Sequence, residues 1–147
     1  MTAFELGTDG PARILVGVDG SETSLRAAAY AAGLARRQGA KMIVLFVKTT
    51  TAAGLAAPEV TGAMNLNQDE IADDLRVQIE QNAPRIGVDI ELVVRDGNPH
   101  AELLKLAEER KVDAIVVGAS MQAGHKLVGS LATKLVRKAA WPVTVVP

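Results

Sequence analysis

The chain has 147 residues, of which 48% are hydrophobic and only 3% aromatic, so we expect one domain with a core of Val, Ile, Leu and Ala. It contains no cysteine, which excludes disulfide bonds, a thiol nucleophile and cysteine-ligated metal. The 16 basic and 17 acidic residues leave a formal charge of −1, so neither nucleic acid nor an anionic membrane is an expected partner.

Residues 1–12 are predicted to form a flexible leader and residues 13–147 the folded domain. The leader lacks the basic and then apolar pattern of a signal peptide. No apolar run approaches the roughly 18 residues that a membrane span requires. The sequence therefore predicts a cytoplasmic protein without a membrane partner.

In chain order, a β-rich run over residues 13–19 is followed by helical periodicity over 22–37, with Gly39 as the predicted helix stop. A second apolar run covers 42–47, and its lack of alternation is typical of a strand buried on both faces. A second helix is predicted over 68–83. Asn67 and Glu70 resemble its capping box, and Pro84 marks its end.

Residues 48–67 form a predicted long connection, rich in Thr, Ala and Gly. Connections longer than about 12–15 residues are usually either functional or disordered. Two alternatives therefore stay open for this segment, namely a mobile excursion and a lid over a binding site.

The second half of the chain continues the alternation of strands and helices. Strands are predicted over 88–94, 113–118 and 143–146, with a helix that starts at Asn98-Pro99 and another over 130–139. Strands separated by helices imply right-handed βαβ units. The predicted fold is thus a single-domain α/β protein whose parallel sheet carries helices on both faces.

In such sheets a ligand binds beyond the carboxyl ends of the strands, where the strand order reverses. Asp19 follows the first strand. It can accept a hydrogen bond from a nucleoside, and the alternative is that Asp19 or Ser21 simply caps the first helix. Gly118, Gly129 and Ser130 surround the loop after the fourth strand and suit a phosphate at a helix start. Ser130 would either bond a phosphate oxygen or cap its own helix.

The basic pair His125-Lys126 lies inside that loop and would either neutralise a phosphate or stay solvated. His100 is expected to pack or to cap its helix. Two histidines far apart in sequence give no metal site, and no catalytic set of residues is apparent.

The segments RILVGVDGSETSLRAAAYAAGLA, GNPHAELLKLAEERKVD and DAIVVGAS…GS…LVRKAAWPVTVVP resemble the universal stress protein family, from Arg13 to Pro147. The resemblance implies a doubly wound, five-stranded parallel sheet of order 3-2-1-4-5, of the adenine nucleotide alpha hydrolase-like type. It also implies a homodimer formed through the last strand, Val143–Val146, which is an unprotected sheet edge.

For the nucleotide-binding branch, the resemblance implies that Asp19 faces the adenosine and that Val47 borders the adenine. Gly118 and Ser120 would lie near ribose and phosphate, and Gly129, Ser130 and the Leu131 amide would hold phosphates. The complete predicted set is Gly17, Val18, Asp19, Val47, Val117, Gly118, Ser120, Gly124, Lys126, Gly129, Ser130 and Leu131.

The loop departs from the family motif, because Met121 stands where a second glycine is expected and the stretch to Gly129 is two residues short. Gly124 is a candidate substitute for that glycine, and Lys126 a candidate for compensating charge. Two functions follow: a non-enzymatic signalling module that binds ATP or AMP, or a dimeric interaction module that has lost nucleotide binding. In the second case Met121 or Gln122 would fill the pocket. A slow nucleotidase is a third reading, disfavoured by the missing base and metal cluster.

Overall fold

The computed structural model of the chain describes residues 10–49, 58–119, 129–138 and 140–147, with the backbone alone for residues 58–66. The elements in chain order are β1 (Arg13–Val18), α1 (Glu22–Gln38), β2 (Lys41–Lys48), α2 (Pro58–Ile86), β3 (Ile90–Asp96), α3 (Pro99–Arg110), β4 (Ala114–Gly118), α4 (Ser130–Lys138) and β5 (Val143–Val146).

The five strands pair in parallel in the order β3-β2-β1-β4-β5, which confirms the predicted fold class. β1 is central and pairs with β2 on one side and β4 on the other. The chain moves from β1 outward to β3 and then crosses back to β4, so the strand order reverses between β1 and β4. That reversal creates a crevice at the carboxyl ends of these two strands.

Each face of the sheet has its own buried layer. On one face Ile14 and Val16 of β1 pack under α1 and α2, with Ala27, Ala31 and Ala35 of α1 among the contacts. On the other face Leu15 packs with side chains of α3 and α4. Because the buried stripe of α1 is built of alanines, its helix axis lies close to the strands.

The predicted start of the second helix at Gln68 is wrong, because α2 begins at Pro58. Proline suits the first helical position, where its missing N–H has no helical partner. Asn67 therefore lies inside the helix and is not its cap. The predicted 48–67 connection is correspondingly shorter, and residues 50–57 of it lie outside the described residues.

The predicted end of the second helix at Pro84 is also wrong, since α2 continues to Ile86. A proline in the last turn removes only one helical hydrogen bond. The helix ends where Gly87 takes a positive φ of 69°. Val88 then donates back to the Ala83 carbonyl at 3.2 Å, so β3 starts at Ile90 and not at the predicted residue 88.

Candidate functional site

The carboxyl ends of β1, β2 and β4 lie side by side. Val16 pairs with Val116, and two residues further along these strands are Val18 and Gly118. Val18 pairs on its other side with Phe46, so the next residues, Asp19 and Val47, also lie at neighbouring strand ends. The sheet thus brings together the predicted residues of the first, second and fourth strands.

The turn after β1 holds Asp19 by hydrogen bonds to the start of α1. The Asp19 Oδ1 accepts from the Ser21 N–H at 2.9 Å, and the Asp19 N–H donates to Ser24 Oγ at 3.2 Å. The second bond ends the β1 ladder, which is why the strand stops at Val18 and not at the predicted residue 19. Within the described residues no hydrogen bond engages Asp19 Oδ2.

Ser21, not Asp19, is the cap of α1, which resolves the two alternatives that the sequence left open. Its side chain accepts from the Ser24 N–H at 3.3 Å. Ser24 is fully buried, and its hydroxyl donates to the Ser21 carbonyl at 2.9 Å while accepting from Asp19. The turn is therefore locked by side chains of this turn and of the first helical turn.

Gly118 at the end of β4 has a packing reason to be glycine. A Cβ on this residue would lie 2.7 Å from the carbonyl carbon of Thr23 and 2.8 Å from the Ser24 nitrogen. Real Cβ atoms do not approach backbone this closely, so the first turn of α1 fits against β4 only over a glycine. The close approach brings the start of α1 directly to the end of β4.

The start of α4 is joined to the same strand end. The Gly129 N–H donates to the Ala119 carbonyl at 2.5 Å, and the Ala119 N–H donates to the Val146 carbonyl at 2.7 Å. The Gly129 carbonyl accepts from both the N–H and the hydroxyl of Thr133, at 3.1 Å each. Gly129 therefore opens α4 with its own amide already engaged.

The first amides of α4 point away from the helix without a helical partner, as at every helix start. For Ser130 and Leu131 no hydrogen bond to a described residue uses the N–H. The first turn of α4 contains no acidic residue. A helix start of this kind favours an anion through its N–H groups and its dipole.

The sequence did not predict that α2 lies beside the carboxyl ends of β1 and β2. Lys48, which ends β2, lies 2.5 Å from Asp69 of α2, measured from Nζ to Oδ1. The hydrogen bond that Lys48 donates to Asp69 raises the pKa of Lys48 above its ordinary value. Ile71 of α2 lies against Gly20, where an added Cβ would meet its Cδ1 at 3.2 Å. A lysine directly after the buried β2 run was the only sequence signal.

Gln68 of α2 also contacts the segment that follows β2. Its Nε2 donates to the Thr49 carbonyl at 3.1 Å, while its Oε1 is enclosed without a partner among the described residues.

His100 lies near the start of α3, and Asn98, not His100, caps that helix. The His100 Nε2 is buried without a partner among the described residues. Burial, and then the charges of Lys134 and Lys138 on α4, lower the pKa of His100 below its ordinary value. We therefore assign the imidazole to the packing between α3 and α4.

The remaining predicted residues divide into three groups. Gly17 and Val117 are buried inside β1 and β4, and Val47 is half-buried at the end of β2. Ser120, Gly124, His125 and Lys126 lie outside the described residues, as do Met121 and Gln122.

Among the described residues there is no group of three His, Asp or Glu side chains that would hold a metal ion. No helix in this part of the chain is long and apolar enough to cross a membrane.

The strand order, which reverses between β1 and β4, defines a doubly wound α/β protein. In proteins of this class the crevice at the reversal is the usual place for a ligand. The profile of the universal stress protein family matches residues 11–147. The chain is 30% identical to universal stress protein YxiE of Bacillus subtilis strain 168 over 146 residues, 91% of this chain and 97% of that protein. The chain belongs to the universal stress protein family.

Solved structures agree with this assignment. The hypothetical protein MJ0577 superposes with a TM-score of 0.77 at 26% identity, covering 92% of this chain and 94% of that one. A universal stress protein in complex with cAMP superposes with a TM-score of 0.70 at 27% identity, covering 93% of this chain and 97% of that one.

Proposed function

We propose that this universal stress protein binds an adenine nucleotide, ATP or AMP, at the carboxyl ends of β1 and β4 and signals through its bound state. The observation that carries the proposal is the pairing of an available carboxylate oxygen on Asp19 with an α4 start whose first amides have no partner among the described residues. A nucleotide presents a ribose hydroxyl and a phosphate, which match these two features.

The adenosine half of the proposed site consists of Asp19, Val18 and Val47. Asp19 Oδ2 would accept from a ribose hydroxyl, because Oδ1 is already engaged by Ser21. Val47 is half-buried beside it and offers an apolar surface to the base. Gly17 and Val117 would support this half from within their strands.

The phosphate half consists of the start of α4 and the loop before it. Ser130 and Leu131 would donate their amides, and Ser130 would add its hydroxyl. Gly129 would not donate to the phosphate, because its N–H is bonded to the Ala119 carbonyl. It would only set the position of the helix start. Gly118 and Ser120 would lie near ribose and phosphate, Gly124 would replace the missing glycine turn, and Lys126 would supply charge.

A relative of the same family supports an adenine nucleotide as the ligand class. The universal stress protein solved in complex with cAMP is 27% identical and covers nearly all of this chain. That ligand combines an adenosine with a phosphate, the two groups that the proposed halves would bind.

Isothermal calorimetry of the nucleotide-stripped protein with ATP and AMP tests the proposal. We expect micromolar binding that Asp19→Ala and Ser130→Glu each weaken at least about tenfold. Ser130→Ala should weaken it less, because the backbone amides remain. Lys138→Ala, at the far end of the same helix, is the matched control and should bind as wild type does. Absence of both heat and thermal stabilisation at millimolar ATP would overturn the proposal.

We further propose that the bound nucleotide is not turned over. The carboxylate that we place at the nucleotide is that of Asp19, and its Oδ1 already accepts from the Ser21 N–H. Phosphate release from ATP should not exceed that of a heat-inactivated sample. Release abolished by Asp19→Asn would show that the chain is an enzyme.

The second candidate function is a dimeric interaction module without nucleotide. The observation that favours it is an open depression lined by Val136, Ala140, Trp141, Pro142 and Val143, beside the edge strand β5. Val136 is 55% exposed there. Homodimerisation through β5 would cover this surface and the unpaired strand edge. Val136→Glu should then weaken the dimer in sedimentation equilibrium, and an unchanged mass would contradict this interface.

Residence in the cytoplasm stays a prediction from the sequence, which cell fractionation with an antibody to the chain would test.

A further inference from the structure

The carboxyl ends of β1 and β2 are both in contact with one turn of α2. At the end of β2, the Lys48 ammonium lies 2.5 Å from the Asp69 carboxylate, and Gln68 Nε2 donates to the Thr49 carbonyl at 3.1 Å. Lys48 and Thr49 directly follow Val47, the residue that we place at the base. The backbone next to the proposed base contact is therefore joined to α2 by an ion pair and by a hydrogen bond.

At the end of β1, α2 contacts the turn that holds Asp19. A Cβ added to Gly20 would meet Ile71 Cδ1 at 3.2 Å and Cγ2 at 3.4 Å, so the Ile71 side chain lies directly against this glycine. Gly20 has a φ of 89° and joins Asp19 to Ser21, whose N–H donates to Asp19 Oδ1. Packing by Ile71 therefore restricts the turn that orients the Asp19 carboxylate.

The helix that makes these contacts is itself fixed to the sheet. Ala72 is 4% exposed, and Leu75 and Ile79 pack against the buried layer that the sheet shares with α1 and α2. The contacts to Gly20 and Lys48 thus come from a helix that is packed on the same strands. Because both contacts belong to one helical turn, they also fix the ends of β1 and β2 relative to each other.

The strand β2 has a lysine at each end, and each lysine forms an ion pair. Lys41, the first residue, lies 3.1 Å from Glu91, and Lys48, the last residue, lies 2.5 Å from Asp69. The two lysine side chains are similarly exposed, at 35% and 33%. The Lys48 pair lies at the carboxyl edge and the Lys41 pair at the amino edge, so the Lys41 pair provides an internal comparison.

We propose that α2 preforms the adenosine half of the crevice, with Lys48, Asp69 and Ile71 as its positioning residues. The inference rests on the proposed nucleotide function, and none of the three residues needs to touch the ligand. They hold Val47 and Asp19, the proposed contacts of the base and the ribose, in fixed relative positions. Binding to a site that is already ordered costs less conformational entropy, so loss of these contacts weakens nucleoside binding.

Isothermal calorimetry of the nucleotide-stripped full chain with adenosine tests the proposal. Adenosine is uncharged, so its affinity depends mainly on the geometry of the site. Lys48→Met and Asp69→Asn should each weaken adenosine binding about three- to fivefold, as expected for a partly exposed ion pair. The double variant should bind no more weakly than either single variant, because each change removes the same contact. Lys48→Arg, which keeps the charge, should bind as wild type does.

Lys41→Met is the matched control, because it breaks the ion pair at the other end of the same strand. It should leave the affinity for adenosine unchanged. Equal weakening by Lys41→Met and Lys48→Met would assign the effect to the general stability of β2 and would overturn the proposal.

ATP separates positioning from charge, since Lys48→Met and Asp69→Asn change the charge near the crevice in opposite directions. If the two residues position the site, both variants weaken ATP binding. If they act only through their charges, Asp69→Asn strengthens ATP binding and Lys48→Met weakens it. This second result would overturn the proposal.

The contact of Ile71 with Gly20 has its own control on the same helix. Ile71→Ala removes this packing and should weaken adenosine binding several-fold. Ile79→Ala deletes the same atoms about two turns further along α2 and should leave adenosine binding unchanged. Equal weakening by the two variants would contradict positioning by Ile71.

These measurements also distinguish the inference from the proposed function. If Asp19→Ala weakens nucleotide binding while Lys48→Met and Asp69→Asn do not, the positioning role is overturned and the nucleotide function stands. A wild-type chain that binds neither adenosine nor ATP would overturn both.

Discussion

The helices α1 and α4 both begin at the carboxyl ends of central strands, yet their first turns are completed in opposite ways. Ser21 caps α1 with its side chain, Asp19 holds the preceding turn, and Glu22 places a negative charge in the first turn. At α4 the described residues complete the first turn only through the backbone carbonyl of Gly129, and this turn has no acidic residue.

The difference assigns separate tasks to the two helix starts. The start of α1 is satisfied from within the chain, so it is suited to hold Asp19 in one position. The start of α4 keeps donors and a positive dipole end unused by the described residues, so it is suited to receive an anion. An adenine nucleotide placed between them would be positioned by the first and bound by the second.

Gly118→Ala should give the largest effect, because it forces the closed helix start away from β4. The new Cβ would lie 2.7 Å from the carbonyl carbon of Thr23, and backbone at this contact cannot rotate aside. We expect a loss of about 3 kcal/mol of unfolding free energy, measured by urea denaturation.

Gly17→Ala is the matched control, since its Cβ would meet Leu103 Cδ1 at an ordinary 3.5 Å. It should change stability by less than about 1 kcal/mol. Equal losses in the two variants would show that the contact with α1 does not explain Gly118.

Ser24→Ala should cost about 1–3 kcal/mol, because it leaves the Asp19 N–H without its acceptor in a buried position. Thr133→Ala tests the corresponding hydroxyl of α4. There the Gly129 carbonyl still accepts from the Thr133 N–H, so the loss should stay below about 1 kcal/mol. A larger loss at Thr133 than at Ser24 would reverse the comparison between the two helix starts.

Ser21→Ala should destabilise the chain by about 1 kcal/mol through loss of the α1 cap. Ser21→Asp, which keeps a capping oxygen, should restore most of this stability in thermal unfolding. Ser130→Ala should be nearly neutral for stability, because Ser130 is the first helical residue and not the cap. Equal destabilisation by Ser21→Ala and Ser130→Ala would contradict the difference between a side-chain cap at α1 and none from Ser130 at α4.

The smallest effect concerns His100, which lies between α3 and α4. Its lowered pKa means that the folded state binds fewer protons than the unfolded state near the ordinary value of 6.5. The stability linked to His100 is therefore present above pH 6.5 and is lost as the pH falls below it. In His100→Gln, the decline of unfolding free energy between pH 7.5 and 5.5 should be shallower than in wild type, and parallel curves would contradict this.

Much of the fold was predictable, because buried strands and helix signals are local. The helix stop at Gly39 and the cap at Asn98 follow from residue type and position, whereas the sequence left the cap of α1 open between Asp19 and Ser21. The start of α2 at Pro58 was not predictable in the same way. Thr and Gly follow this proline and are typical of loops, yet the backbone is helical from Pro58 onward.

The candidate site was predictable in place but not in detail. The strand ends follow from topology, whereas the engagement of the Gly129 amide by Ala119 depends on how β4 and α4 meet in space. The reason for Gly118 was likewise hidden, because the atoms that exclude a Cβ belong to Thr23 and Ser24, far away in sequence. The Lys48–Asp69 ion pair joins residues whose connection was read as loop.

We propose that α4 receives the phosphate of a nucleotide that Asp19 positions. Amide NMR spectra recorded while ATP is added to the ¹⁵N-labelled protein test it most directly. We predict that the Ser130 and Leu131 amides shift most and that Asp19→Ala weakens the titration. Chemical shift changes confined to the α1 amides, or spectra unchanged at millimolar ATP, would contradict phosphate binding at the start of α4.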